Sequence, residues 1–204
     1  MAATVYLVRH AAHDRVDRVL CGRMPGVGLG EAGLAQAEAL ARRFGDGHRG
    51  AVNAVWTSPV QRARETAEPI ALRLGLLAWD SDALCEIEFG AWTGATFEAL
   101  RDDPRWHRWN EARGDERPPG GESMVEAQAR AMNEVERARE EHPDGCVVLV
   151  SHGDIIKAVL AGVLGLPLDA HARFEVPPAS VSALAVWDGG GKVLSMNEET
   201  AAAP

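Results

Sequence analysis

The sequence is poor in cysteine and has no long apolar run. Its three cysteines are an odd number without a CxxC pair, which excludes a disulfide framework and a zinc ribbon. The longest apolar runs, such as Cys146–Val150, are far shorter than the roughly 20 residues of a membrane helix. The N-terminus lacks the basic and apolar regions of a signal peptide. We therefore expect a cytoplasmic protein without a membrane segment.

Basic residues are outnumbered by acidic ones. The chain has 21 Lys and Arg against 30 Asp and Glu, and its formal net charge is −9. This charge repels nucleic-acid backbones and anionic membranes at long range, so we expect neither as a partner. An anion-binding site in such a protein must be built locally. The sequence carries no sign of an oligomeric state.

Short β-rich segments alternate with segments of helical periodicity. At 204 residues, with 46% hydrophobic and 25% charged residues, the chain is typical of one globular domain over residues 1–204. The alternation predicts an α/β fold, a three-layer αβα sandwich around a mostly parallel sheet. The predicted strands are Thr4–Val8, Val52–Trp56 and Cys146–Val150, and the predicted helices are Glu31–Phe44, Pro59–Leu74, Ser123–Glu141 and Asp154–Leu164.

Two further segments depart from this alternation. Ser182–Trp187 and Lys192–Met196 flank a glycine-rich turn, which predicts an antiparallel C-terminal hairpin at one edge of the sheet. Residues 91–121 contain several aromatic residues and end in a Pro-Pro-Gly-Gly turn. We interpret them as a partly helical, lid-like insertion. Its Trp106 and Trp109 either shape a pocket or simply pack.

Helix starts are marked by capping residues. Ser58 is a candidate cap for a helix with Pro59 in its first position and Gln61 as the capping-box partner,. Ser123 and Glu126 repeat the capping box.

Two predicted strands end in a histidine motif. In open α/β sheets, ligands bind at the carboxyl ends of the strands, and here those ends carry Arg9-His10 and Ser151-His152. The helix after a third strand brings Arg62 to the same edge. Two guanidinium groups and two imidazoles suit a dianionic phosphate. The helix starting near Asp154 adds backbone N–H groups, although the Asp154 carboxylate would repel an anion if it turned inward.

Five motifs in the same order and spacing resemble those of the histidine phosphatase superfamily, which includes cofactor-dependent phosphoglycerate mutases. They are Leu7-Val8-Arg9-His10, Ser58-Pro59 with Arg62-Ala63 and Thr66-Ala67, Glu86 to Gly94, Gly121-Glu122-Ser123, and Ser151-His152-Gly153. The resemblance implies that a small phosphate ester phosphorylates His10, without a metal or cofactor. Arg9, Arg62 and His152 would then hold the phosphoryl oxygens.

Glu86 is the proton donor that the resemblance implies. The chemistry is consistent, because neutral imidazole attacks phosphorus well and a carboxyl group in a partly dry pocket can hold a proton near neutral pH. Glu88 competes for this role, because it is a second carboxylate two positions further along the same segment. The pattern around Phe89-Gly90 favours Glu86.

The sequence departs from the family pattern after the nucleophile. Ala11 replaces the commonest glycine, Ala12-His13 replaces a Glu-Thr pair, and Val16 replaces an asparagine. We expect altered substrate contacts with preserved chemistry. We also expect a negative φ at Ala11, whose carbonyl accepts a hydrogen bond from the His10 ring.

Other functions remain open at this point. The main alternatives to a phosphatase are a phosphoglycerate mutase, although those are usually longer, and a catalytically silent phosphate-binding module. A metallohydrolase using His10, His13 and Asp14 is disfavoured, because the chain direction should carry His13 away from His10. The remaining histidines are expected on loops or solvated faces: His48, His107, His142 and His171.

Overall fold

The computed structural model describes residues 2–46 and 51–200, so the prediction for His48 lies outside the described residues. The strands are β1 (Ala3–Arg9), β2 (Ala54–Thr57), β3 (Ala78–Asp80), β4 (Cys146–Ser151), β5 (Val181–Trp187) and β6 (Gly190–Glu198). The helices are α1 (Glu31–Asp46), α2 (Gln61–Leu74), α3 (Phe97–Leu100), α4 (Pro104–Glu111), α5 (Met124–Glu141) and α6 (Gly153–Leu164), with short 3₁₀ turns between some of them.

The strands form one mixed sheet in the order β3-β2-β4-β1-β5-β6. The strands β3, β2, β4 and β1 are parallel to one another, whereas β5 and β6 add antiparallel pairing at one edge. The predicted α/β fold and the C-terminal hairpin are therefore confirmed. The sequence analysis missed β3, because three residues at an edge are too short to show a strand period.

The helices cover both faces of the sheet. Along β1 the side chains alternate between two hydrophobic cores. Val5 and Leu7 lie in the first core, Val8 lies in the second, and Tyr6 packs against the second. The first core includes residues of α5 and α6, and the second includes residues of α1 and α2. A strand buried on both faces is expected to be nearly continuous in apolar residues, which is what β1 and β4 show.

The two predicted helix caps have different outcomes. Ser123 caps α5 and forms the complete capping box with Glu126. The prediction for Ser58 is wrong, because α2 begins at Gln61 after Val60, which has extended backbone and no side-chain cap. The Ser58 hydroxyl instead accepts a bond from His152 and so belongs to the site described below.

The segment 91–121 contains α3 and α4 and packs against the first core. Trp109 is fully buried, and Trp106 packs edge-on against Trp92 with ring centroids 5.4 Å apart. Neither Trp106 nor Trp109 lines the cavity that contains His10, whereas Phe97 does. Packing is therefore the better interpretation of the tryptophan pair. Among the described helices, none has the length and apolar character needed to span a bilayer.

Candidate active site

Arg62 joins the two histidines at the carboxyl edge of the sheet. His10 directly follows β1, His152 directly follows β4, and Arg62 lies in the first turn of α2. Arg62 Nε donates to His10 Nε2 at 3.2 Å, and Arg62 Nη2 lies 3.1 Å from His152 Nδ1. The imidazole centroids are 5.1 Å apart. The convergence predicted from the strand ends is thus present in the structure.

Hydrogen bonds define the tautomer of His10. Its Nδ1 lies 2.8 Å from the carbonyl oxygen of Ala11, which can only accept, so Nδ1 carries the proton,. The Nε2 atom then has a free lone pair, which accepts from Arg62. The nucleophilic nitrogen of a phosphohistidine mechanism is therefore Nε2.

Ala11 has the conformation expected from its side chain. It is not among the described residues with positive φ, and its N–H donates to Thr66 Oγ1 at 2.9 Å. Thr66 in turn donates to the carbonyl of Arg62 at 2.7 Å. The predictions of a negative φ and of an Ala11 carbonyl bonded to His10 are both confirmed.

His152 is bonded through both ring nitrogens. Because Arg62 can only donate, His152 Nδ1 must accept, which leaves the proton on Nε2 for the bond to Ser58 Oγ at 2.8 Å,. Burial lowers the pKa values of His10 and His152 well below the usual range, and the positive charges of Arg62 and Arg9 lower them further. Both imidazoles are therefore neutral at neutral pH, as a nucleophile requires.

Two arginine N–H groups in this site have no partner. Arg62 Nη1 and Arg9 Nε are buried without a hydrogen bond within the described part of the chain. Other atoms of the two guanidiniums are held, since Arg62 Nη2 donates to the carbonyl of Gly22 at 2.8 Å and Arg9 Nη1 donates to that of Val176 at 2.6 Å. Unpaired buried donors are costly. An anion at the His10 edge would satisfy both.

Four carboxyl groups line the cavity of about 180 Å³ that contains His10, and in two of them, Glu86 and Asp154, the pKa is shifted in opposite directions. Burial raises the pKa of Glu86 to about 7, and the negative charge of Asp154 adds to this effect, while Arg62 opposes it. Burial would also raise the pKa of Asp154, but the positive charges of Arg113, His171 and Lys157 together outweigh burial and lower that pKa. Arg113 contributes most of the three, with Nη1 3.3 Å from Asp154 Oδ1. Glu86 is therefore the group that can give up a proton near neutral pH. The Asp154 carboxylate forms a salt bridge with Arg113 instead.

The comparisons with known proteins identify the family. The family model "Histidine phosphatase superfamily (branch 1)" matches residues 5–199. The chain belongs to the histidine phosphatase superfamily. The histidine, arginine and glutamate side chains described above are thus those of a histidine phosphatase fold.

Relatives and solved structures agree with this assignment. Phosphoserine phosphatase 1 of Hydrogenobacter thermophilus is 29% identical over 196 residues, 94% of this chain and 90% of that protein. The bifunctional protein Rv2228c of Mycobacterium tuberculosis is 33% identical over 194 residues, 94% of this chain; the chain spans only 53% of that relative's length. The native structure of mycobacterial glucosyl-3-phosphoglycerate phosphatase Rv2419c matches with a TM-score of 0.86 and 28% identity, over 98% of this chain and 100% of that one.

In this member of the superfamily, a charged cluster holds the backbone at Glu86, the predicted proton donor. Arg23 Nε donates to the Glu86 carbonyl at 2.7 Å, and Arg130 Nη1 donates to the Ala83 carbonyl at 2.6 Å. Glu122 accepts from both guanidiniums, at 3.0 Å from Arg23 and 2.7 Å from Arg130. Glu122 belongs to one of the sequence motifs, but no role was predicted for it. Arg23, in a loop, and Arg130, in α5, were not predicted at all. No local pattern marks such partners.

His13 corrects one expectation. Its ring centroid lies 5.5 Å from that of His10 and it lines the cavity, so the expected divergence of the two side chains is wrong. The N–H of Ala12, between the two histidines, donates to Gln36 Oε1 of α1 at 2.9 Å. His10 Nε2 nevertheless faces the Arg62 guanidinium, a cation that disfavours a metal ion at that nitrogen,. Among the described residues, no group of three candidate metal ligands occurs.

The remaining predictions for side chains are mixed. Val16 lines the cavity, so this part of the lining is apolar at the position where many family members have an asparagine. His107 is exposed as expected and His142 is half-buried. The prediction for His171 is wrong, because it is buried and lies close enough to Asp154 to influence its pKa. Glu88 does not line the cavity; its carboxylate accepts from the N–H of Gly90 at 3.3 Å.

Proposed function

We propose that this protein is a phosphomonoesterase that transfers the phosphoryl group of a small phosphate ester to His10 and then to water. The observation that supports it most is the pair of unsatisfied buried donors, Arg9 Nε and Arg62 Nη1, on two arginines that line the same cavity as His10. Phosphoryl transfer needs mainly positioning and charge balance, and these groups supply both. The nucleophile, Nε2, needs no base because it is already deprotonated.

In the first step, His10 Nε2 attacks phosphorus while the bond from phosphorus to the ester oxygen breaks. Arg62 gives up its hydrogen bond to Nε2 and turns its N–H groups to the phosphoryl oxygens, together with Arg9. Glu86 gives its proton to the leaving alkoxide, so the product is an alcohol. The phosphorylated imidazole is positive, and the Ala11 carbonyl stabilises it through Nδ1–H.

In the second step, Glu86 is a carboxylate and takes a proton from water. The water oxygen attacks phosphorus, and the bond from phosphorus to Nε2 breaks. Inorganic phosphate leaves, and both His10 and Glu86 return to their starting protonation states. Asp154 favours the reprotonated form of Glu86 because of its negative charge.

A panel of phosphate esters tests this proposal. O-phosphoserine and phosphoglycerate derivatives belong in it because two relatives are named for such substrates. We expect release of inorganic phosphate, unchanged after extended chelation. Isomerisation of phosphoglycerate without phosphate release would favour a mutase, and phosphate binding without turnover would favour a silent module. Loss on chelation and recovery with a divalent metal would favour a metallohydrolase.

Three expectations from the sequence accompany this proposal. A single domain over residues 1–204, with residues 91–121 acting as a lid, remains a prediction, as does a cytoplasmic location. Phe97 supports the lid because it lies in this segment and lines the cavity. Limited proteolysis with and without inorganic phosphate tests the lid, since closure would protect this segment. Cell fractionation tests the location.

A further inference from the structure

The chain has two lysines, and one of them lies at the proposed substrate site. Lys157 belongs to α6 and lines the cavity that also contains His10 and Glu86. Lys192 is exposed on β6, at the far edge of the sheet order. The proposed reaction has so far assigned no role to Lys157.

Lys157 has one direct ionic partner among the described residues. Its Nζ lies 3.1 Å from Glu175 Oε2, and the exposed fractions of the side chains are 12% for Lys157 and 80% for Glu175. A largely buried ammonium group needs an anionic or polar partner. An exposed carboxylate recovers its hydration when it is released, so it loses little. The pair is therefore easily opened from the Glu175 side.

The neighbouring acidic group does not replace Glu175. Asp154 lies one helical turn before Lys157, but its carboxylate pairs with Arg113, whose guanidinium lies over the Trp109 ring at 4.6 Å. His171, on the segment packed against α6, and Glu86 are further titratable groups near Asp154. With Asp154 already paired, the positive charge of Lys157 is balanced chiefly by Glu175, which also lines the cavity.

We propose that Lys157 binds a second anionic group of the substrate, a carboxylate a few bonds from the phosphate, which displaces Glu175. This inference rests on the proposed phosphatase activity and assigns its substrate class. Arg9 and Arg62 hold the phosphate, and the ammonium at the cavity wall holds the carboxylate. The cavity wall also includes Val16 and Phe97, which carry no charge, and Asp17, which is exposed and forms no salt bridge with Lys157.

The test compares O-phosphoserine with O-phosphoethanolamine, which has the same ester and ammonium groups but no carboxylate. The measured quantity is the ratio of the two kcat/KM values, because damage to the shared phosphoryl-transfer groups cancels in it. We expect wild type to prefer O-phosphoserine. Lys157→Met should lower this ratio about tenfold or more, as expected for a lost charge-assisted hydrogen bond. Lys192→Met is the matched control and should keep the wild-type ratio.

The Glu175→Gln variant should change the preference for O-phosphoserine in the opposite direction. Removing the internal competitor should lower the KM for O-phosphoserine and leave that for O-phosphoethanolamine little changed. An unchanged ratio in Lys157→Met, or no preference for O-phosphoserine in wild type, would overturn the inference. In that case, phosphate release from p-nitrophenyl phosphate would still support the proposed function. If wild type releases phosphate from none of these esters, the proposed function and the inference both fail.

Discussion

Arg62 Nε lies 3.2 Å from His10 Nε2, so the group that we propose to hold the phosphate also holds the proposed nucleophile before substrate arrives. Both side chains are almost completely buried. The same guanidinium reaches His152 and the carbonyl of Gly22. Only a planar fork with several N–H groups can make these contacts together.

The first prediction follows from this geometry. Arg62→Lys keeps the charge but removes the fork, so His10 and His152 lose their common donor. We expect kcat/KM for p-nitrophenyl phosphate to fall about 10²–10³-fold, as when an aligned donor to a reacting group is removed. Arg64→Lys is the control, because Arg64 lies on the same helix but pairs with Asp80 at the surface. Similar losses in both variants would contradict a specific role for Arg62.

The second prediction concerns Glu86 as the proton donor. Its pKa of about 7 means that kcat/KM for alkyl phosphates should fall above neutral pH, as the required proton is lost. Glu86→Gln should remove this fall and slow alkyl phosphates by about 10²–10⁴-fold. p-Nitrophenyl phosphate should be much less affected, because its leaving group needs no proton.

Glu88→Gln is the matched control for Glu86. Glu88 was the competing candidate in the sequence, and its carboxylate bonds to Gly90 outside the cavity lining. We expect near wild-type rates and an unchanged pH profile. If Glu86→Gln slows both kinds of ester equally, Glu86 positions the substrate instead of protonating the leaving group.

The third prediction uses the charge of Asp154. Its carboxylate disfavours ionisation of Glu86, so Asp154→Asn should lower the pKa of Glu86,. In the proposed mechanism, Glu86 is active in its protonated form. The fall in kcat/KM for alkyl phosphates should therefore begin at lower pH than in wild type. Asp169→Asn is the control, because it removes a carboxylate charge outside the cavity lining and keeps an oxygen to accept from the Gly114 N–H; it should leave the profile in place,. A shift to higher pH in Asp154→Asn would contradict the assignment.

The fourth prediction tests the cluster that holds the Glu86 backbone. Glu122→Gln removes the shared anionic partner of Arg23 and Arg130. We expect Glu86 to be less well positioned, so the rate should fall more for alkyl phosphates than for p-nitrophenyl phosphate. Glu141→Gln is the control, since Glu141 pairs with Arg137 on the exposed side of α5. Equal loss on both esters in Glu122→Gln would indicate a general structural defect.

The sequence predicts much of the fold because its central elements are locally marked. β1 and β4 are nearly continuous in apolar residues, and Ser123 with Glu126 marks the start of α5. The site residues His10 and His152 are predictable from the strands that they follow. Arg62 is predictable because a short helical turn places it at the same edge of the sheet.

The misses share a physical cause. Ser58 has the residue type of a helix cap, but its hydroxyl bonds to His152, a contact decided by the tertiary fold. His13 lies near His10, and the intervening Ala12 bonds to Gln36 of α1, a contact that no local rule describes. Lys157 and Glu175 meet across separate elements. Contacts between distant loops carry no periodic signal.

The central claim is that His10 Nε2 carries the phosphoryl group during turnover, and trapping this intermediate tests it most directly. The protein is mixed with ³²P-labelled ester, quenched rapidly without acid, and the labelled peptide is mapped. We predict label on His10 that is lost in acid and stable in alkali, and no label in His10→Ala. Full activity in His10→Ala, or label stable in acid, would contradict the account.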